Sequence, residues 1–123
     1  MKISHTQWQV LQVIWSCGPT GAGEVIDVLV PKTGWSHRTV RTLLTRLVEK
    51  GVLTAELRDG RNIYTANVAQ SQCVREESKS FLEKVFGGDA GELLVHFVEN
   101  EEMTLDQIKQ LKKLLDSKQK GTN

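Results

Sequence analysis

Apolar residues recur at helical spacing through most of the chain, and one interval keeps a different period. Ser4-His5-Thr6-Gln7 has the S-x-x-Q form of a capping box and opens a first helix. Its expected buried stripe is Trp8, Leu11, Ile14 and Trp15, and Gly18-Pro19 closes it. A second helix starts at Thr20 or Gly21, with Glu24 in its first turn. Val25, Ile26, Val28, Leu29 and Val30 supply its apolar surface, and Pro31 is expected to stop it. After the polar Lys32-Thr33-Gly34 comes a third helix over residues 35–50, where Ser36 suits the N-cap and Gly51 the residue beyond the C-cap. Val40, Leu43, Leu44, Leu47 and Val48 fall at i, i+3, i+4, i+7 and i+8, a complete match to one helical face.

From Val52 the period changes to two. Leu53, Ala55 and Leu57 alternate with Thr54, Glu56 and Arg58, the pattern of a strand. Asp59-Gly60 is a type I′ hairpin signal, and residues 61–66 form the returning strand. A two-residue turn places Arg58 opposite Arg61, and like charges facing across a hairpin repel. The pair makes sense where both arginines reach a third, negatively charged party; a solvated turn with screened repulsion is the plainer alternative.

Residues 67–69 form a brief hinge. A fourth helix runs from about residue 70 to 86, anchored by Val74, Phe81, Leu82, Val85 and Phe86, and Gly87-Gly88-Asp89 breaks it, with Asp89 as the next N-cap. Leu93, Leu94, Val95, Phe97 and Val98 nearly encircle the helix that follows, which predicts burial on most sides. Thr104-Leu105-Asp106-Gln107 is a second capping box. Leu105, Ile108, Leu111, Leu114 and Leu115 line the last helix, and the chain is expected to fray from Ser117 onward.

These elements predict a mainly α fold with a small β-hairpin. Residues 1–68 would form a winged helix-turn-helix and residues 69–123 a C-terminal region of three helices. Three helices of about 45 residues in total cannot easily close a core alone, so a second copy is the economical partner. The interface is expected on Phe81, Leu82, Val85, Leu94, Phe97, Val98, Ile108, Leu111 and Leu115. A C2 dimer also suits a helix-turn-helix that reads two half-sites about 34–36 Å apart.

Charge distribution adds to this division. The chain of 123 residues has a net charge of only +1. Residues 1–66 hold eight Lys/Arg against five Asp/Glu, and residues 67–123 hold eight against ten. A basic first half joined to an acidic second half suggests two jobs. The third helix concentrates the basic character: opposite its apolar stripe stand Arg38, Arg41, Thr42, Thr45 and Glu49, with Thr39 and Arg46 on the flank. Threonine is a mediocre helix former, so three of them beside three arginines on an exposed face need a reason. Arginine presents a planar donor fork to guanine edges and phosphates. Threonine presents a hydroxyl to phosphate and a methyl to thymine. This is the composition of a helix that enters a DNA major groove, with Arg41 and Arg46 nearest the bases and Arg38, Arg58 and Arg61 on phosphates.

Other chemistries find little support. Cys17 and Cys73 form no C-x-x-C, and His5, His37 and His96 have no metal-ligand spacing, so neither a metal nor a cofactor is expected. No motif sets a base and an oxyanion site around either cysteine, so the chain is not expected to be an enzyme. No apolar run approaches the ~20 residues that span a bilayer, and no secretory signal pattern opens the chain, which points to the cytoplasm and no membrane partner. A protein–protein adaptor, with the arginine face meeting an acidic partner, is the competing class.

The quoted residues carry a resemblance. Trp35-Ser36, the run from Thr39 to Leu47, and Lys50-Gly51 resemble the bacterial penicillinase and methicillin-resistance repressors, the BlaI/MecI family. Gln7 to Leu11 with Ile14-Trp15 is similar to that family's first helix. Phe81-Leu82, Gly88, Leu94-Val95, Phe97-Val98-Glu99 and Leu105 are similar to its dimerisation region. The resemblance implies a homodimeric repressor on dyad-symmetric, double-stranded operator DNA. Its contacts would fall on Arg38, Thr39, Arg41, Thr42, Thr45 and Arg46 and on the wing. It also implies release of repression by a sensor-linked protease cutting at the position of His96-Phe97, where this chain keeps the family's Phe but has His in place of Asn. The related copper-responsive branch ends in a C-x-C-x4-C-x-C metal site; this chain ends Lys118-Gln119-Lys120-Gly121-Thr122-Asn123 and lacks those thiolates.

Overall fold

The computed structural model describes residues 2–121. Its elements are α1 (His5–Cys17), β1 (Thr20–Gly21), α2 (Ala22–Thr33), α3 (His37–Glu49), β2 (Leu53–Arg58), β3 (Arg61–Ala66), α4 (Gln70–Phe86), α5 (Ala90–Asn100) and α6 (Leu105–Gly121). The fold is mainly helical, with one three-stranded antiparallel sheet in the order β1-β3-β2. The chain divides into two compact units between Arg75 and Glu76, inside α4.

In the first unit, α1, α2 and α3 enclose one core. Val10, Leu11, Val25, Val40, Leu44, Leu47 and Val52 are fully buried there. Each such side chain contributes about 1.5–3 kcal/mol relative to exposure. Both halves of the first capping box form: Gln7 N–H donates to Ser4 Oγ at 3.2 Å and Ser4 N–H to Gln7 Oε1 at 3.1 Å. Lys50 Nζ also donates to Gln7 Oε1 at 2.7 Å, so a buried amide ties the end of α3 to the start of α1. The sheet closes one side. Leu53 and Tyr64 turn into the core, and the register runs from Leu53↔Ala66 to Arg58↔Arg61.

Several expectations need correction. Val10 and Val13, rather than the two tryptophans, complete the buried stripe of α1. Trp8 and Trp15 are half-buried at its border, edge to face at 5.5 Å, and Trp15 Nε1 donates to the Val68 carbonyl at 3.0 Å. Pro31 does not stop α2, which continues to Thr33. The missing N–H falls in the last turn, where Thr33 Oγ1 bonds the Leu29 carbonyl at 2.8 Å and Gly34 N–H the Val30 carbonyl at 2.9 Å. Thr20 and Gly21 belong to β1, paired with Tyr64 and Ile63, so α2 begins only at Ala22, after both candidate starts. The alternation in β2 marks no buried face beyond Leu53: Ala55 is exposed and Leu57 is 70% exposed, because the hairpin runs out past the helices. Nor are residues 67–69 loose. Asn67 N–H donates to the Val52 carbonyl at 2.8 Å and Asn67 Nδ2 to the Gly51 carbonyl at 3.0 Å.

The second unit is built differently. Asp89 caps α5 by accepting from Glu92 N–H at 3.0 Å, and Thr104 and Gln107 form both halves of the second capping box. Yet no residue of α5 or α6 is buried. The expectation that α5 is buried on most sides fails for the single chain, since three helices offer too little area to cover one another. The fraying expected from Ser117 is also absent through Gly121. Lys118 and Lys120 lie in the last turn of α6, where positive charge complements the helix dipole. Thr122 and Asn123 lie outside the described residues.

Candidate nucleic-acid interface

The interface grows from the amphipathic split of α3. Ser36, in extended backbone, caps the helix by accepting from Thr39 N–H at 3.1 Å. Val40, Leu44 and Leu47 lock one face into the core, which fixes the rotation of the helix about its axis. The other face is thereby set: Arg38, Thr39, Arg41, Thr42, Thr45 and Arg46 are all exposed. Among the described residues, no carboxylate pairs with Arg38, Arg41 or Arg46. Two threonine hydroxyls already have partners: Thr39 Oγ1 shares a hydrogen bond with Ser36 Oγ at 3.0 Å, and Thr45 Oγ1 donates to the Arg41 carbonyl at 3.0 Å. Their oxygens can still accept, and the methyl of Thr45 remains for apolar contact.

The hairpin tip forms as its sequence demands. Asp59 and Gly60 take φ of 51° and 80°, the doubly positive pair of a type I′ turn, and Arg58 stands opposite Arg61. Each arginine has its own carboxylate, which the sequence did not reveal. Arg58 Nη2 lies 3.2 Å from Glu56 Oε2, and Arg61 Nη1 lies 3.0 Å from Glu24 Oε1. The like-charge pair is therefore offset within the chain, and a third party is not required to explain it. The Arg61 hydrogen bond, followed by backbone hydrogen bonds, holds the Glu24 carboxyl below its ordinary value. Glu24 stands in the first turn of α2, as its sequence position implies, but nothing near it in the chain points to a partner 37 positions away. Gln7 and Lys50 were missed as a pair for the same reason.

The candidate dimer residues all lie in the second unit, on three helices. Phe81 and Val85 on α4, Phe97 and Val98 on α5, and Ile108 and Leu115 on α6 are exposed, while Leu82, Leu94 and Leu111 are half-buried. Leu94, Phe97, Met103, Leu111 and Leu114 line an open groove between α5 and α6. His96-Phe97 lies within α5. The His96 ring sits 5.9 Å from Phe86 and 5.8 Å from Phe97, and Asn100 Nδ2 donates to the His96 carbonyl at 2.8 Å. Cys17 is exposed, Cys73 is buried, and they form no disulfide. Among the described residues no group of three or more His, Cys, Asp or Glu could hold a metal ion. No described helix is long and apolar enough to cross a membrane.

Comparison with known proteins gives this geometry a setting. A family model described as "Penicillinase repressor" matches residues 3–117. The methicillin resistance regulatory protein MecI of Mammaliicoccus sciuri is 32% identical over 117 residues, covering 95% of each chain. The penicillinase repressor of Bacillus licheniformis is 30% identical over 115 residues, covering 94% of this chain and 90% of that one. Among solved structures, monomeric Bacillus licheniformis BlaI in complex with the blaP half-operator is similar at 34% identity and a TM-score of 0.52. That likeness covers 58% of this chain and 87% of that one.

Proposed function

The chain belongs to the penicillinase repressor family, one of transcription repressors rather than enzymes, and from that premise we propose that it binds a dyad-symmetric operator as a homodimer. Residues 1–68 act as the DNA-binding domain and residues 69–123 as the dimerisation domain. The observation that carries this reading is the outer face of α3, where exposed arginines without carboxylate partners among the described residues stand on a helix held by its core face. In the major groove, Arg41 and Arg46 reach base edges, and a bidentate arginine–guanine pair discriminates by about 1–3 kcal/mol. Arg38 donates to phosphate oxygens of the DNA backbone, as do the hydroxyls of Thr39, Thr42 and Thr45 once turned toward them, and the wing carrying Arg58 and Arg61 lies along the phosphates. BlaI of Bacillus licheniformis is described in complex with the blaP half-operator, and the corresponding ligand of this chain is double-stranded operator DNA.

Dimerisation is supported by the apolar surface of the second unit. Val85, Val95 and Val98 are each about half exposed, and Leu114 is 60% exposed, so α4, α5 and α6 each display large apolar side chains. A second copy of the same helices covers it. Two tethered half-sites then gain avidity that one lacks. The names of the relatives tie them to methicillin resistance and to penicillinase, and the regulated genes proposed here are of the same β-lactam-resistance class. Release follows from a sensor-linked protease cutting between His96 and Phe97. That bond lies inside α5, so cleavage requires local opening of the helix. The protein acts in the cytoplasm.

The test is fluorescence anisotropy of the full chain with DNA from upstream of its own gene against a scrambled duplex, across a salt series. Tighter binding to the native duplex at every salt concentration is expected, with a slope of about −0.9 per phosphate neutralised. Equal binding to both duplexes would refute recognition of that sequence. For the protease, immunoblots of cells exposed to a β-lactam should show a fragment ending near residue 96; derepression with the chain at full length would refute cleavage.

A further inference from the structure

Arg58 and Arg61 face one another across the turn, but their surroundings differ. Glu56, the partner of Arg58, lies two residues back on the same strand, so that ion pair travels with the hairpin and fixes it to nothing. Arg61 reaches another element. Glu24 Oε1 accepts from Arg61 Nη1 at 3.0 Å, while Glu24 Oε2 accepts from the backbone N–H of Gly21 at 2.7 Å. One carboxylate therefore joins the N-cap of α2 to the first residue of β3. It does so beside the point where Gly21 pairs with Ile63. Gly21 is what makes room: a Cβ there would lie 2.6 Å from Glu24 Oε2 and 3.2 Å from Arg61 Nη1.

We infer that Arg61 is a positioning residue, which through Glu24 and Gly21 fixes the wing against the start of α2 and leaves Arg58 as the wing's phosphate contact. This rests on the DNA-binding reading above. Arg61 already commits Nη1 to an anion anchored to backbone, so turning the guanidinium fully toward a phosphate exchanges one ion pair for another and releases the wing. Arg58 leaves a partner on its own strand, and the hairpin stays where it was.

The full chain is titrated by anisotropy, over a potassium chloride series, with a duplex that the unaltered chain selects from a random-sequence pool. The variants are Arg61→Ala, Glu24→Gln, Gly21→Ala, Arg58→Ala and the double variant Glu24→Gln/Arg61→Ala. The first three should each weaken binding about two- to five-fold per wing, the range of an exposed ion pair. The double variant should be no weaker than either single, because all act on one contact. Arg61→Ala and Gly21→Ala should keep the slope of the unaltered chain, whereas Arg58→Ala should lower it by about 0.9 per wing. Gly21→Ala is decisive because it displaces the carboxylate and removes no charge. Thermal melting of each variant separates a lost fold from a displaced wing, and Gly21→Ala and Arg61→Ala reach the same contact by different routes. If Arg61→Ala lowers the slope as Arg58→Ala does, or if Glu24→Gln or Gly21→Ala tightens binding, Arg61 is itself a phosphate contact that Glu24 restrains, and the inference is overturned. If the unaltered chain binds no duplex in a salt-dependent way, the DNA-binding reading falls, and this inference with it.

Discussion

In the first unit, Leu11, Val25, Val40, Leu44 and Leu47 reach zero exposure, while in the second, Val85, Val95, Val98 and Leu114 each leave about half or more of their surface in solvent. Both units draw on similar apolar residues at similar helical spacing. The difference is geometric. Three helices and a sheet in the first unit surround a common centre, so each element covers the others. In the second, helices with well-formed caps display apolar faces that remain largely exposed, with Val85, Val95, Val98 and Leu114 half or more in solvent. A capped amphipathic helix is thus a local property, but burial of its stripe is not. The first unit completes its core by itself, and the second leaves apolar surface that the proposed homodimer would cover.

The sharpest way to break this contrast is to damage each unit in turn. Leu44→Ala removes a fully buried side chain from α3 and should cost about 2–5 kcal/mol of stability, read by denaturant unfolding of the full chain. A cost below about 1 kcal/mol would mean that the first core is looser than its burial indicates. Val98→Asp puts a charge on a residue that is 51% exposed in the single chain, so it should leave the first unit's melting unchanged. It should convert the protein to a monomer in sedimentation and weaken binding to a two-half-site duplex by about a hundredfold or more. A dimer that survives the aspartate would place the interface elsewhere. Arg41→Ala should change neither core nor dimer, but should cost about 1–3 kcal/mol in discrimination against one altered base pair per half-site, measured with substituted duplexes. Uniform weakening across all duplexes would instead mark Arg41 as a phosphate contact.

The smallest effect concerns pH. Glu24 is held below its ordinary value of 4.5, mainly by the hydrogen bond from Arg61. A carboxyl depressed in the folded state contributes stability above its unfolded value, and that contribution is lost as pH falls through the folded value. The melting difference between the unaltered chain and Glu24→Gln should therefore be constant from neutral pH down to the ordinary carboxylate range and shrink below it. A difference that grows on acidification would assign the acid sensitivity to other groups.

Much of this molecule was legible locally. Ser4, Ser36, Asp89 and Thr104 were readable as caps because the group each satisfies lies within three residues. The type I′ turn was readable because Asp59-Gly60 tolerates positive φ at both positions. The outer face of α3 was readable because helical period alone divides apolar from polar residues. Failures came where the answer lay far along the chain. The strand at Thr20-Gly21 exists because β3 is there to pair with it. Pro31 was misread because Thr33 and Gly34 supply hydrogen bonds that let α2 run on past it.

The amino-acid sequence by itself determined the order of helices and hairpin, their caps, the Arg/Thr face of α3 and the apolar stripes of α4, α5 and α6. These follow from backbone periodicity and from hydrogen bonds between near neighbours. Tertiary structure alone decided which stripes are covered, that Trp15 fastens to Val68, that Lys50 meets Gln7, and that Arg61 reaches Glu24. Each joins residues more than 35 positions apart or sums the shielding of several elements, and neither quantity is encoded in any short window of chain.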